Sequence, residues 1–237
     1  MSLYVYAITK ASHPLRLDGL RSVGNPDGTL RAVRSGSLCA VVSDSPTDLS
    51  VARDDLEAHH QVQERLWADG PVLPLSFGFV AGSEDDVRAV LDERAEAFAL
   101  RLDELSGRVE FNVKAIPDED TLLRAILDDS PEARELNERT REGGGTYEDQ
   151  LALGQLVAEE VQRRQEVLAE AVLAALRPLA LAEQVAPPSQ SYAVNASFLV
   201  DDDRSEEFTR VGQDLAEQYG EGVELRLRGP LPPYSFA

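Results

Sequence analysis

Arg108-Val109-Glu110-Phe111-Asn112-Val113-Lys114-Ala115-Ile116 is the stretch on which the fold turns. Polar residues at 108, 110, 112 and 114 alternate with Val109, Phe111 and Val113, the period of two of a strand with one buried face. Val109, Phe111 and Val113 are therefore expected to face helices of their own domain. Arg108, Glu110 and Lys114 are expected to turn outward or toward the N-terminal half. Downstream, residues 117–145 are charged, with one or two short helices and a break at Gly143-Gly144-Gly145. Residues 146–177 form the longest helical pattern, carrying Leu153, Val157, Val161, Leu168, Val172 and Leu176. At ~1.5 Å rise per residue such a helix spans on the order of 45–50 Å. Residues 179–185 and 192–200 read as strands around Pro187-Pro188-Ser189. Residues 204–219 read as a helix with Phe208, Val211, Leu215 and Tyr219 inward, and 223–228 as a last strand. The order β-α-β-β-α-β is the split βαβ, ferredoxin-like arrangement, an antiparallel sheet with two helices on one face.

Upstream, Ser106-Gly107 is the best boundary. It divides an N-terminal α+β domain, residues 1–106, from a modified ferredoxin-like domain, residues 107–237, with a helical insertion at about 117–145 and a Pro-rich tail. In the first domain, residues 3–8 read as a strand, and 30–34 and 38–43 as a hairpin around Ser35-Gly36-Ser37. Residues 54–69 read as a helix ending at Gly70-Pro71, with Leu56, His59, His60, Gln63 and Trp67 along one side. Residues 72–80 are apolar, but Pro74 demotes part of the run to an edge strand or a bulge. Ser83 caps the next helix, on which Val87, Leu91, Ala95, Phe98, Leu102 and Leu105 make one stripe.

The chain has 237 residues, enough to bury a core without metal or disulfide. Its 23 basic and 43 acidic residues leave a formal net charge of −20. Such a balance argues against a nucleic-acid partner, which needs a basic face, and against docking on anionic lipid. It suits a protein that must resist aggregation. One cysteine, Cys39, excludes a disulfide framework and fits a reducing cytosol. The N-terminal residues have no basic region or long apolar run, so no signal peptide is expected. The longest uncharged stretch, 184–200, is broken by Pro187, Pro188, Gln190 and Asn195 and is not expected to span a membrane.

Candidate chemistry is sparse. His60 and Glu64 share a helical face, but zinc takes three or four such ligands and no others lie nearby. His59 falls beside the stripe of Leu56, Val62 and Leu66, where a packed or hydrogen-bonded histidine is expected. Cys39 sits within a strand, where a buried, inert thiol is expected. No Gly-x-Ser-x-Gly elbow is present, and Gly143-Gly144-Gly145 lacks the Lys-Ser/Thr of a phosphate loop. Acidic pairs fall at helix starts and in turns. No catalytic, metal or cofactor-binding residue is therefore assigned, and no cofactor. Apolar punctuation stands out instead, in Val72-Leu73-Pro74-Leu75-Ser76-Phe77-Gly78 and in Gly229-Pro230-Leu231-Pro232-Pro233-Tyr234-Ser235-Phe236. The prolines make the tail stiff and extended, unable to lengthen the sheet freely. Tyr234 and Phe236 need an apolar surface, on their own chain or on a partner.

On these segments the chain resembles the gas vesicle accessory proteins of the GvpF/GvpL family. The resemblance also rests on Tyr4-Val5-Tyr6-Ala7-Ile8, on His59, on residues 107–114 and on Asn195-Ala196-Ser197-Phe198-Leu199-Val200. Ser76 stands where the family commonly has an arginine before Phe-Gly. The resemblance implies a two-domain α+β protein with a modified ferredoxin fold at its C-terminus. It implies a cytoplasmic or vesicle-associated, non-enzymatic assembly or minor structural component of gas vesicles. The implied partners are the small hydrophobic shell protein and other gas vesicle accessory proteins. A protein of a different class, a small-molecule binder or enzyme on a ferredoxin-like scaffold, would need a polar cleft around His59, Glu64 and Arg108.

A shell protein with exposed strands would pair edge to edge, through main-chain hydrogen bonds and without special side chains. The expected edges are residues 72–80 and an edge strand of the C-terminal domain, with the tail guarding one of them. Leu75, Phe77, Tyr234 and Phe236 are the expected partner-binding residues.

Overall fold

A computed structural model describes residues 2–46, 51–187, 189 and 191–237, so Pro188 and Gln190 lie outside the described residues. The chain divides into two compact units, residues 1–110 with 230–237, and residues 111–229. The eight tail residues, grouped above with the second domain, cluster with the first unit.

The first unit is built on β1 (Leu3–Lys10), whose residues are almost all buried. It lies inside a sheet with β2 (Arg31–Ser35), β3 (Leu38–Asp44) and β4 (Val72–Pro74), in the order β2-β3-β1-β4. The hairpin register pairs Ser35 with Leu38 across a two-residue loop in which Gly36 takes a φ of +54°. That left-handed conformation is open to glycine at little steric cost. Two residues, Val80–Ala81, form β5 and continue the edge begun by β4 by pairing antiparallel with Leu3 and Tyr4. Residues 75–79 bulge out between them. Helix α1 (Arg53–Asp69) covers one face of β1, burying Ala58, Val62 and Leu66 with Tyr4, Tyr6 and Val72. Helices α2 (Glu84–Glu93) and α3 (Ala95–Glu104) cover the other. Ser83 caps α2 as expected, accepting from the Asp86 N–H at 3.2 Å. The single apolar stripe is carried on two helices, because Arg94 (φ −110°, ψ 19°) leaves helical geometry and lays its guanidinium over the Phe98 ring.

The second sheet has the order β7-β8-β6-β9, formed by β6 (Arg108–Pro117), β7 (Ala182–Val185), β8 (Val194–Asp201) and β9 (Val223–Leu231). With the connecting helices this is the ferredoxin-like order. Helices α4 (Glu119–Asp129) and α5 (Pro131–Thr140) fill the insertion. Helix α6 (Tyr147–Leu176) starts at a capping box in which the Thr146 side chain accepts from Asp149 N–H while Asp149 accepts from Thr146 N–H. Helix α7 (Ser205–Tyr219) packs with α6, and both lie on β8. The β6 alternation holds on the apolar side. Phe111 and Val113 are fully buried, and the Phe111 ring stacks on Phe208 of α7 at 4.7 Å.

One expectation is narrowed and one needs correction. Of the two directions expected for Glu110, outward is excluded by its burial, and its contacts lie within the first unit: Ser235 N–H and Ser235 Oγ of the tail each lie 2.7 Å from its carboxylate. The tail does lengthen the sheet. Strand β9 runs through Gly229 and Pro230 to Leu231, and the chain then turns in a 3-10 helix, Tyr234–Phe236. Gly229 permits this with a φ of +155° and no side chain, since a Cβ there would overlap the Phe111 ring.

Candidate functional site

The segment Leu73-Pro74-Leu75-Ser76-Phe77-Gly78-Phe79 is held from behind by side chains of β1 and α1. Gly78 N–H donates to the Tyr4 hydroxyl at 3.1 Å, which leaves the hydroxyl proton for His59 Nδ1 at 2.9 Å. His59 then carries its own proton on Nε2 and donates it to the Leu75 carbonyl at 3.1 Å. Gln63 donates to the same carbonyl and to that of Tyr6, each at 2.8 Å. Tyr6 lies against this set, its ring 4.8 Å from Tyr4, and its hydroxyl accepts from Val23 N–H at 2.8 Å. Burial is the largest influence on each ring: it holds His59 neutral, lowering its pKa to about 4, and pushes the Tyr4 phenol up to about 12. His59 is thus a structural hydrogen-bonding residue with both ring nitrogens engaged. Cys39 is buried, and burial raises its pKa. Among the described residues no group of three or more His, Cys, Asp or Glu is placed to hold a metal.

In front of that segment lies an apolar groove of about 960 Å³. Val5, Ile8, Ala40 and Leu73 of the sheet line it, as do Val87, Leu91 and Phe98 of α2 and α3. Four large apolar residues on the lining are open to solvent: Phe79 (50 % exposed), Val80 (44 %), Val90 (45 %) and Leu100 (62 %). Such clustering on one concavity marks an interaction surface better than scattered apolar residues do.

The four residues expected from sequence are not all brought to one surface. Leu75 and Tyr234, both half-buried, line the groove. Phe77 turns inward, packing on Tyr4 at 5.9 Å and His59 at 5.6 Å. Phe236 is buried. Tyr234 also lies 5.9 Å from the His60 ring. Phe79 and Val80 lie in the expected 72–80 edge but were not singled out, and sequence reasoning missed Val90 and Leu100, whose signal was an apolar residue off the main stripe of α2 and of α3.

A family model for gas vesicle synthesis proteins GvpL/GvpF matches residues 2–237. Gas vesicle protein F of Streptomyces sp. (strain CB03234) is 44% identical over 237 residues, covering 100% of this chain and 99% of that one. Gas vesicle protein L of the same strain is 27% identical over 255 residues, covering 99% and 92%. Two crystal structures share the fold: gas vesicle protein GvpF from Anabaena sp. PCC7120 (TM-score 0.84, 22% identity, 100% and 98% covered) and GvpF from Microcystis aeruginosa (TM-score 0.80, 22% identity, 99% and 98% covered).

Proposed function

The chain belongs to the gas vesicle synthesis protein GvpL/GvpF family, and from that premise we propose that it is an F-type accessory protein of gas vesicle assembly. It binds the small hydrophobic shell protein, or another accessory protein, while the vesicle is being built, in the cytoplasm or on the vesicle itself. The observation that carries this reading is the match along the whole chain. The choice of F over L follows from 44% identity to the F protein against 27% to the L protein of one strain. The open apolar groove supports a binding role. The net charge of −20 supports it too, because a strongly charged carrier keeps an aggregation-prone client dispersed.

Co-expression with the shell protein tests the proposal. The soluble fraction of shell protein should rise when this chain is present, and deletion of its gene should abolish or deplete vesicles. Equal pelleting of shell protein with and without the chain would overturn the binding role. Within the groove, Tyr234→Ala should retain the parent's thermal melt and lose pull-down of the shell protein.

A further inference from the structure

Several main-chain groups of the 72–81 edge are already engaged. Pro74 has no N–H to give. Leu75 N–H bonds the Tyr6 carbonyl, and the Leu75 carbonyl takes His59 and Gln63. Phe79 N–H bonds Ser76, the Phe79 carbonyl takes Val5 N–H, and Gly78 N–H is held by Tyr4. Beyond them β5 is two residues long. A strand laid here would bury N–H and C=O groups without partners, which is costly. An α-helix brings its backbone hydrogen bonds with it and presents only side chains.

Charge narrows the occupant. From residue 84 to residue 104, α2 and α3 carry eight carboxylates against Arg88, Arg94 and Arg101. Arg88 is paired with Glu84 and Asp85, and Arg101 with Glu104. The groove therefore has an apolar lining between the sheet and two helices that together carry an excess of five carboxylates, although on the lining itself Asp86 and Glu104 are offset by Arg94 and Arg101; the acidic surround is complementary to an apolar stripe flanked by cations.

Resting on the accessory role proposed above, we infer that this groove receives an amphipathic α-helix of the partner, with lysine or arginine flanking its apolar face, and not an added β-strand. The helix inserts large apolar residues at i, i+3 or i+4 and i+7 against Phe79, Val80, Val90 and Leu100.

The test uses the full chain and three labelled 16-residue peptides, followed by fluorescence anisotropy. One has leucines at helical spacing with lysines between them. The second replaces the lysines with glutamates. The third has the first peptide's composition in strict alternation, the pattern of a strand. The first should bind at least ten-fold more tightly than either of the others, and more weakly as salt rises. The double variant Val90→Asn/Leu100→Asn leaves the charge unchanged at two solvent-open sites, and should weaken the first peptide at least ten-fold. Val167→Asn, in the second unit, should not. Equal or tighter binding of the alternating peptide, or unchanged affinity in the double variant, would overturn the inference. Vesicle formation is scored in the same double variant to separate the two proposals. Loss of vesicles without peptide binding to the parent leaves the assembly role standing and removes the helix. Peptide binding with undiminished vesicles in the variant keeps the helix and removes the groove from assembly.

Discussion

The two units centre on opposite kinds of aromatic cluster. In the first, Tyr4, Tyr6 and His59 are buried with their polar atoms paired, and the pairs fix the 75–79 bulge. In the second, with no polar atom, Phe208 stacks on Phe111 at 4.7 Å and lies tilted against Phe198 at 5.5 Å. A polar cluster is directional and sets backbone geometry. An apolar cluster is non-directional and supplies mainly burial. The contrast teaches that the groove wall is placed by hydrogen bonds that titrate, whereas the ferredoxin-like unit depends on volume.

The largest effect is expected where volume decides. Phe111→Ala should cost about 3–5 kcal/mol in urea unfolding, as a ring's loss from a closed core does. Gly229→Ala should also destabilise, by about 1–3 kcal/mol, because its Cβ meets that same ring. Next comes acid. His59 has a folded pKa of about 4 against 6.5 when free, so the unfolded chain binds its proton first. Stability is then complete above pH 6.5 and is lost as pH falls toward 4, by the order of 2–3 kcal/mol from this group. His13, whose pKa burial also lowers, adds in the same direction. Thermal midpoints measured from pH 7 to 5 should fall for the parent and flatten in His59→Gln. An equally steep fall in His59→Gln would remove the contrast between the units. Smaller again is Tyr4→Phe, which strips Gly78 N–H and His59 Nδ1 of their partner and should cost about 1–2 kcal/mol in the same melt. The smallest is Thr146→Ala, which removes the α6 cap for about 1 kcal/mol, read as lost helical signal on urea titration.

Much of the architecture is carried by local pattern. The Ser35-Gly36-Ser37 turn, the alternation of β6 and the helix beginning after Thr146 are properties of short windows, and each is seen in the structure. What failed to show needs partners far along the chain. Nothing near Glu110 announces that its two donors come from a residue 125 positions later. The break at Arg94 keeps the apolar spacing in phase, so periodicity runs through it. Of the candidate site, Leu75 and Tyr234 were legible as apolar residues beside turns. Phe77 was not, because a bulge sends its ring to the far side of the strand. Val90 and Leu100 fall off the buried stripes of their helices, where single apolar residues are ordinary.

The membership of residues 230–237 in the first unit sets an order on synthesis. A ribosome releases residues 1–110 long before Ser235, so for the translation of over a hundred residues the Glu110 carboxylate is without those two donors. Over that interval all of residues 111–229 emerge and the second unit has its complete sequence. The first unit is the first to begin synthesis and the last to have its complete sequence, and Tyr234 is available to the groove only with that final step.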